Sequence, residues 1–206
     1  MATAIIRPAG LSQGRKHAEG GFSLIEVMIS MVIVTVGLVS LLGVFGLAMA
    51  STQTSQQDMI AKQLANEAME SIVTARNTSQ LTFDDIQNQN STNCPVTSAS
   101  TCGIFVANAQ PIYNAGVDGI YGTADDSNAG LETLDEPGAD GKYGDTDDVI
   151  LPLTNYQRTI SISAVNDQSG NPVATLRAVN IIMQYSTATT RQQKTYVLSS
   201  FISQYR

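Results

Sequence analysis

The most constraining feature of this chain is a run from Val27 to Gln57 that contains no charged side chain. The apolar stretch from Phe22 to Ala50 is longer than a signal-peptide core of roughly 7 to 15 residues. It also reaches the roughly 20 residues that a helix needs to cross a bilayer. The sequence therefore predicts a transmembrane helix that persists in the mature protein. Glu26 lies at its start, and a carboxylate in a membrane is costly unless it is paired, so Glu26 is a candidate functional residue.

A short basic segment precedes this run. Residues 1–20 contain Arg7, Arg15 and Lys16 together with several glycines and a proline. A segment rich in Lys and Arg beside a membrane span tends to stay in the cytoplasm. The C-terminal end of the following helix should therefore lie on the outer side of the membrane. One interpretation is a simple signal anchor, with Glu26 near the lipid headgroups.

The junction between the two segments favours a second interpretation. Residues 21–27 read Gly-Phe-Ser-Leu-Ile-Glu-Val. This string resembles the class III prepilin signal of type IV pilins and type II secretion pseudopilins. Its continuation is most similar to PilV-type minor pilins and to their relative, the pseudopilin I component of type II secretion. The resemblance implies cleavage between Gly21 and Phe22 and methylation of Phe22. Glu26 would then be the fifth residue of the mature chain, where it can pair with the new amine of a neighbouring subunit.

The resemblance also implies a function and a set of partners. It implies a structural subunit, not an enzyme, that is held in the bacterial inner membrane and then enters an extracellular filament. Its partners would be other pilin subunits, the prepilin peptidase, the inner-membrane assembly platform and, before assembly, membrane lipid. The alternatives are a minor pseudopilin of type II secretion and a calcium-dependent adhesive module at a pilus tip.

Hydrophobic periodicity predicts an α+β fold with a long N-terminal helix packed on a small antiparallel sheet. Apolar residues continue at three- and four-residue spacing to about Ala75, which is typical of an amphipathic helix. Alternating patterns predict strands, and a further short strand is expected at 103–107. The predicted segments are a cleaved leader (1–21), a helix (22–76), a head (77–206) with an acidic insertion (112–155), and strands at 156–165, 176–185 and 195–202.

Charge and residue content exclude several classes of function. The formal net charge is −7, and removing residues 1–21 takes away three basic residues and one acidic residue, which leaves −9. Such a surface argues against broad nucleic-acid binding. His17 is the only histidine and lies in the leader, so the mature chain lacks a histidine base or imidazole metal ligand.

The two cysteines lie close together in a polar segment. Cys94 and Cys102 are separated by seven residues. In an exported protein such a pair predicts a disulfide, and two free thiols are the alternative.

An acidic motif occurs twice in the middle of the chain. Residues 116–126 and 138–148 share seven of eleven positions, in the pattern Gly-x-Asp-Gly-x-Tyr-Gly-x-x-Asp-Asp. Calcium prefers six to eight oxygen ligands, so each copy is a candidate calcium site. The alternative is a pair of hydrated turns that keep an exposed protein soluble. The candidate ligands are Asp118, Asp125 and Asp126 in the first copy, and Asp140, Asp147 and Asp148 in the second.

Overall fold

The computed structural model describes residues 21–89, 103–187 and 192–205. Its longest element is helix α1, Leu24–Asn77. The chain divides into two compact units, Met1–Ala48 and Met49–Arg206, and the boundary falls inside α1. The predicted α+β fold, with one long N-terminal helix and an antiparallel sheet, is confirmed.

The two halves of α1 differ as the sequence predicts. The first half is apolar and exposed, and by length and composition the helix could cross a membrane. The second half buries one stripe against the sheet, with buried residues at three- and four-residue spacing. These residues are Ala61, Leu64, Ala65, Ala68, Met69, Ile72 and Ala75.

Within the described residues, strands numbered in chain order form a main antiparallel sheet of four, in the order first, fourth, fifth and sixth. The strands are β1 (Gln110–Pro111), β4 (Tyr156–Asn166), β5 (Pro172–Ser186) and β6 (Gln193–Ser203). The last three confirm the predicted meander and are longer than expected. The strand expected at 103–107 is instead a single bridge between Phe105 and Asn88, and β1 was not predicted.

Alternating residues of the sheet form the core with α1. In β5 the side chains of Val179, Ile181 and Met183 are fully buried, as the two-residue repeat of a half-buried strand requires. Tyr185 continues this row, and its hydroxyl donates to Asp58 of α1 at 2.8 Å. Lys194 of β6 binds the same carboxylate, with 3.0 Å between Nζ and Oδ1. These polar contacts fix the sheet along the helix.

The predicted insertion 112–155 has two structurally different parts. Its first part contributes Ile112 and Ile120 to the core, with 1% and 2% of their surface exposed. It ends in a single helical turn, α2 (Asp126–Ala129). Its second part is a two-stranded antiparallel ribbon of β2 (Thr133–Glu136) and β3 (Val149–Pro152), whose residues are largely exposed.

Candidate functional site: the N-terminal segment and the acidic loops

The signal residues lie at the exposed start of α1. The carbonyl of Ser23 accepts the first helical hydrogen bonds, from the amides of Glu26 at 3.0 Å and Val27 at 3.2 Å. Gly21 and Phe22 precede the helix, and Phe22 is 82% exposed. Glu26 lies in the first turn, where a carboxylate interacts favourably with the helix N-terminus. The bond between Gly21 and Phe22 is therefore in non-helical, exposed chain.

The two copies of the acidic motif form the same local structure. We call residues 116–126 loop A and residues 138–148 loop B. The amide of Gly119 donates to the carbonyl of Gly116 at 3.1 Å, and that of Gly141 donates to Gly138 at 3.1 Å. The φ angles of Gly119 and Gly141 are +70° and +71°, in the left-handed region that favours glycine. The sequence repeat is thus a structural repeat.

Equivalent aspartates hold each loop closed. At the first aspartate, Asp118 accepts from the amide of Ile120 at 2.8 Å, and Asp140 accepts from Lys142 at 2.9 Å. At the last aspartate, Asp126 accepts from the amide of Gly122 at 2.6 Å, and Asp148 accepts from Gly144 at 2.6 Å. These side chains replace backbone partners in the turns.

The first glycine of each loop lies against a carboxylate. A side chain at Gly116 would collide with the carboxylate of Asp125, and one at Gly138 would collide with Asp147. The close approach explains why both copies have glycine there.

The carboxylates of each loop are grouped. Oxygens of Asp118, Asp125 and Asp126 lie within 4.8 Å of one another in loop A, which are the three residues that the sequence proposes as ligands. In loop B the corresponding group is Asp140, Asp145 and Asp147. Asp145 thus stands where the sequence proposes Asp148, which instead accepts from the amides of Gly144 and Asp145.

Loop A is packed against α1. The hydroxyl of Tyr121 donates to Oε1 of Glu67 at 2.6 Å, and its backbone amide donates to Oγ of Ser71 at 3.3 Å. Ile120 enters the core beside it. Asp126 is 1% exposed and accepts from the amide of Gly116, in addition to Gly122. Loop A is therefore part of the folded head.

Loop B has the same backbone geometry but an exposed setting. Tyr143, the equivalent of Tyr121, is 70% exposed, and Lys142 stands in place of the buried Ile120. A hydrogen bond with the side chain of Asp145 is the main factor that holds the pKa of Asp147 below its usual range. Loop B is thus an acidic, solvated loop at the tip of the β2–β3 ribbon.

A buried charge cluster next to loop A was missed from the sequence. Arg158 is 4% exposed, and its guanidinium lies 4.6 Å from the centre of the Tyr121 ring. Burial lowers the pKa of Arg158, while the nearby carboxylates of Glu132 and Asp126 oppose this shift. The alternating pattern of β4 could have predicted its burial, because Arg158 lies two residues from Tyr156 and from Ile160, both of which are buried.

Two predicted features fall outside the described residues. The leader, residues 1–20, and the proposed disulfide between Cys94 and Cys102 both lie there. The disulfide therefore stays a prediction.

The comparisons with known proteins bear on the N-terminal segment. Residues 16–42 match the family model described as the prokaryotic N-terminal methylation motif. Searches among curated proteins and among solved structures found no match. The matched motif is the class III signal of type IV pilin-like proteins, which are in general processed by prepilin peptidase and assembled with other pilins. The chain therefore carries, around Gly21, the N-terminal signal of a type IV pilin-like or pseudopilin precursor.

Proposed function

We propose that this protein is a minor pilin, most similar to the PilV type, that enters a type IV pilus through its N-terminal helix. The observation that supports this proposal is the match at residues 16–42, which spans Gly21, Phe22 and the first part of the exposed apolar half of α1. A helix that is apolar all round and exposed on a single chain is suited to burial, first in lipid and then among other helices.

The proposed mechanism begins in the inner membrane. The apolar half of α1 holds the precursor there, and the prepilin peptidase cuts between Gly21 and Phe22. The new amine at Phe22 is methylated and pairs with Glu26 of a neighbouring subunit. The pairing neutralises two charges that would be costly in an apolar environment, and it sets the register of subunit addition.

The first prediction concerns the mature N-terminus. Protein isolated from the producing bacterium should begin at Phe22 and carry one methyl group on its α-amine. Mass spectrometry of the N-terminal peptide measures both properties. A chain that retains residues 1–21 in the filament fraction would contradict the proposal.

The genes beside this one distinguish the pilin from the pseudopilin assignment. Neighbouring genes for secretion, in place of genes for pilus biogenesis, would favour the pseudopilin assignment.

We further propose that loop B binds calcium. Its support is the grouping of Asp140, Asp145 and Asp147 in an exposed loop, where a cation would relieve the repulsion among them. The proposal is confined to loop B because Asp126 of loop A is buried, accepts from the amides of Gly116 and Gly122, and is near the Arg158 guanidinium.

The second prediction is a calcium-dependent thermal stability. The full chain in detergent should melt about 5 °C higher with calcium at a hundredfold excess over its dissociation constant than with chelator. The control variant has residues 137–148 replaced by Asn-Gly. This change keeps the β2–β3 pairing, which ends at Glu136 and Val149, and should abolish the response to calcium. Equal melting points of the unmodified chain in both conditions would contradict the proposal.

A further inference from the structure

A cluster of titratable groups lies between loop A and α1, drawn from four parts of the head. Its members are Glu67 of α1, Tyr121 and Asp126 of loop A, Glu132 just before β2, and Arg158 of β4. Two atoms in it are buried without a hydrogen-bond partner among the described residues, namely Oε2 of Glu132 and Nη1 of Arg158. Buried polar atoms without partners are uncommon, so the cluster requires an explanation.

The charges of this cluster do not balance. One guanidinium faces three carboxylates, and the described ion pairs do not include Arg158. Glu67 accepts from the Tyr121 hydroxyl, and Asp126 accepts from the amide of Gly122. Glu132 has a buried oxygen that lacks such a donor. Of the three carboxylates, Glu132 is therefore the one whose ionised form has the least local support.

The electrostatic surroundings agree with this ranking. Burial and, to a smaller extent, the negative charge of Glu67 together raise the pKa of Glu132 to about 7, against the opposing effect of the positive charge of Arg158. Burial also raises the pKa of Asp126, but hydrogen bonds from the amides of Gly122 and Gly116 oppose that rise.

We propose that Glu132 is a proton-operated latch that controls how firmly loop A packs on α1. With a proton on Glu132, two carboxylates remain near Arg158 and the loop stays docked. When Glu132 loses this proton, its negative charge repels Glu67. Because Glu67 accepts the hydrogen bond from the Tyr121 hydroxyl, this repulsion weakens the contact between loop A and α1. This inference goes beyond the proposed function and does not depend on it.

The direction of the pH effect follows from linkage. The docked loop binds the proton more tightly than the open loop does, since a solvated Glu132 has an ordinary pKa near 4.5. Docking is therefore firmest below pH 4.5. It weakens as the pH rises from about 4.5 to about 7, and it is constant above that range.

Hydrogen exchange of the Tyr121 amide tests the latch directly, because this amide donates to Ser71 of α1 only when loop A is docked. In the full chain in detergent, its opening constant, corrected for intrinsic exchange, should increase about ten- to a hundredfold between pH 4.5 and pH 7.5. Glu132→Gln cannot ionise at this position and should remove most of that increase.

Two further variants separate the latch from general effects of acidity. Glu67→Gln removes the repelling charge and should reduce the increase. Glu136→Gln removes an exposed carboxylate of β2 and should leave the increase unchanged. The proposal is overturned if the Tyr121 amide of the unmodified chain has the same protection at both pH values. It is also overturned if Glu132→Gln retains the full pH dependence, or if Glu136→Gln removes it.

Discussion

Replacing Glu26 with alanine is expected to lower incorporation of the subunit into filaments about a hundredfold. The change removes one partner of a charge pair in an apolar environment and leaves the amine of Phe22 uncompensated, which costs about 3 kcal/mol or more. Folding of the head should not change, because Glu26 is exposed in the first turn of α1. The measurement is the ratio of subunit in sheared filaments to subunit in the membrane fraction.

Two further variants identify the role of the charge. Ser30→Ala removes a hydroxyl that donates to the Glu26 carbonyl at 2.7 Å, one turn along the same exposed face, and should assemble normally. Glu26→Gln keeps the size of the side chain and removes its charge. If Glu26 only supports the helix N-terminus, an effect of about 0.3 to 1 kcal/mol, then Glu26→Gln assembles almost normally. Normal assembly of Glu26→Ala would rule out the pairing mechanism.

The elements with strong periodicity were predictable from the sequence. The second half of α1 buries a residue at every third or fourth position, and β5 and β6 alternate between more and less exposed residues along most of their lengths. These patterns predict where the elements lie, although the strands extend beyond the predicted ranges. β1 is a two-residue strand, too short for an alternating pattern, and it exists because it pairs with Arg158 and Gln157 of β4. Its position depends on tertiary contacts.

The acidic repeat shows where sequence reasoning ends. Loops A and B have the same motif and the same hydrogen-bonded turns, but one lies in the core and the other in solvent. The loops differ at four positions, and at two of these a neutral residue of loop A corresponds to a charged residue of loop B. Ile120 and Thr123 of loop A correspond to Lys142 and Asp145 of loop B. An apolar residue can enter the core and a lysine cannot do so cheaply, so the non-matching positions, not the shared ones, predict which copy is buried.

Replacing Asp126 with alanine is expected to lower the free energy of unfolding by about 3 kcal/mol. Its buried carboxylate accepts from the amide of Gly116 at 3.0 Å, the amide of Gly122 at 2.6 Å and the hydroxyl of Thr123 at 3.3 Å. Alanine would leave the two amides without a partner where water has little access, and each such loss costs about 1 to 3 kcal/mol. The Thr123 hydroxyl would keep Oδ1 of Asp125, at 2.6 Å, as its acceptor. Denaturant unfolding of the full chain in detergent measures the change.

The chain supplies its own matched control for this variant. Asp148 occupies the same position in loop B and accepts from the amide of Gly144 with the same 2.6 Å distance. Asp148 is half-buried, but its neighbours at 141–147 are exposed, so water can reach the Gly144 amide once the carboxylate is removed, and Asp148→Ala should cost less than about 1 kcal/mol. Equal losses from the two variants would mean that the hydrogen bonds of the turn, and not its burial, determine the cost. A larger loss at Asp126 would show that one motif has become a structural element of the core in loop A while it stays a surface loop in loop B.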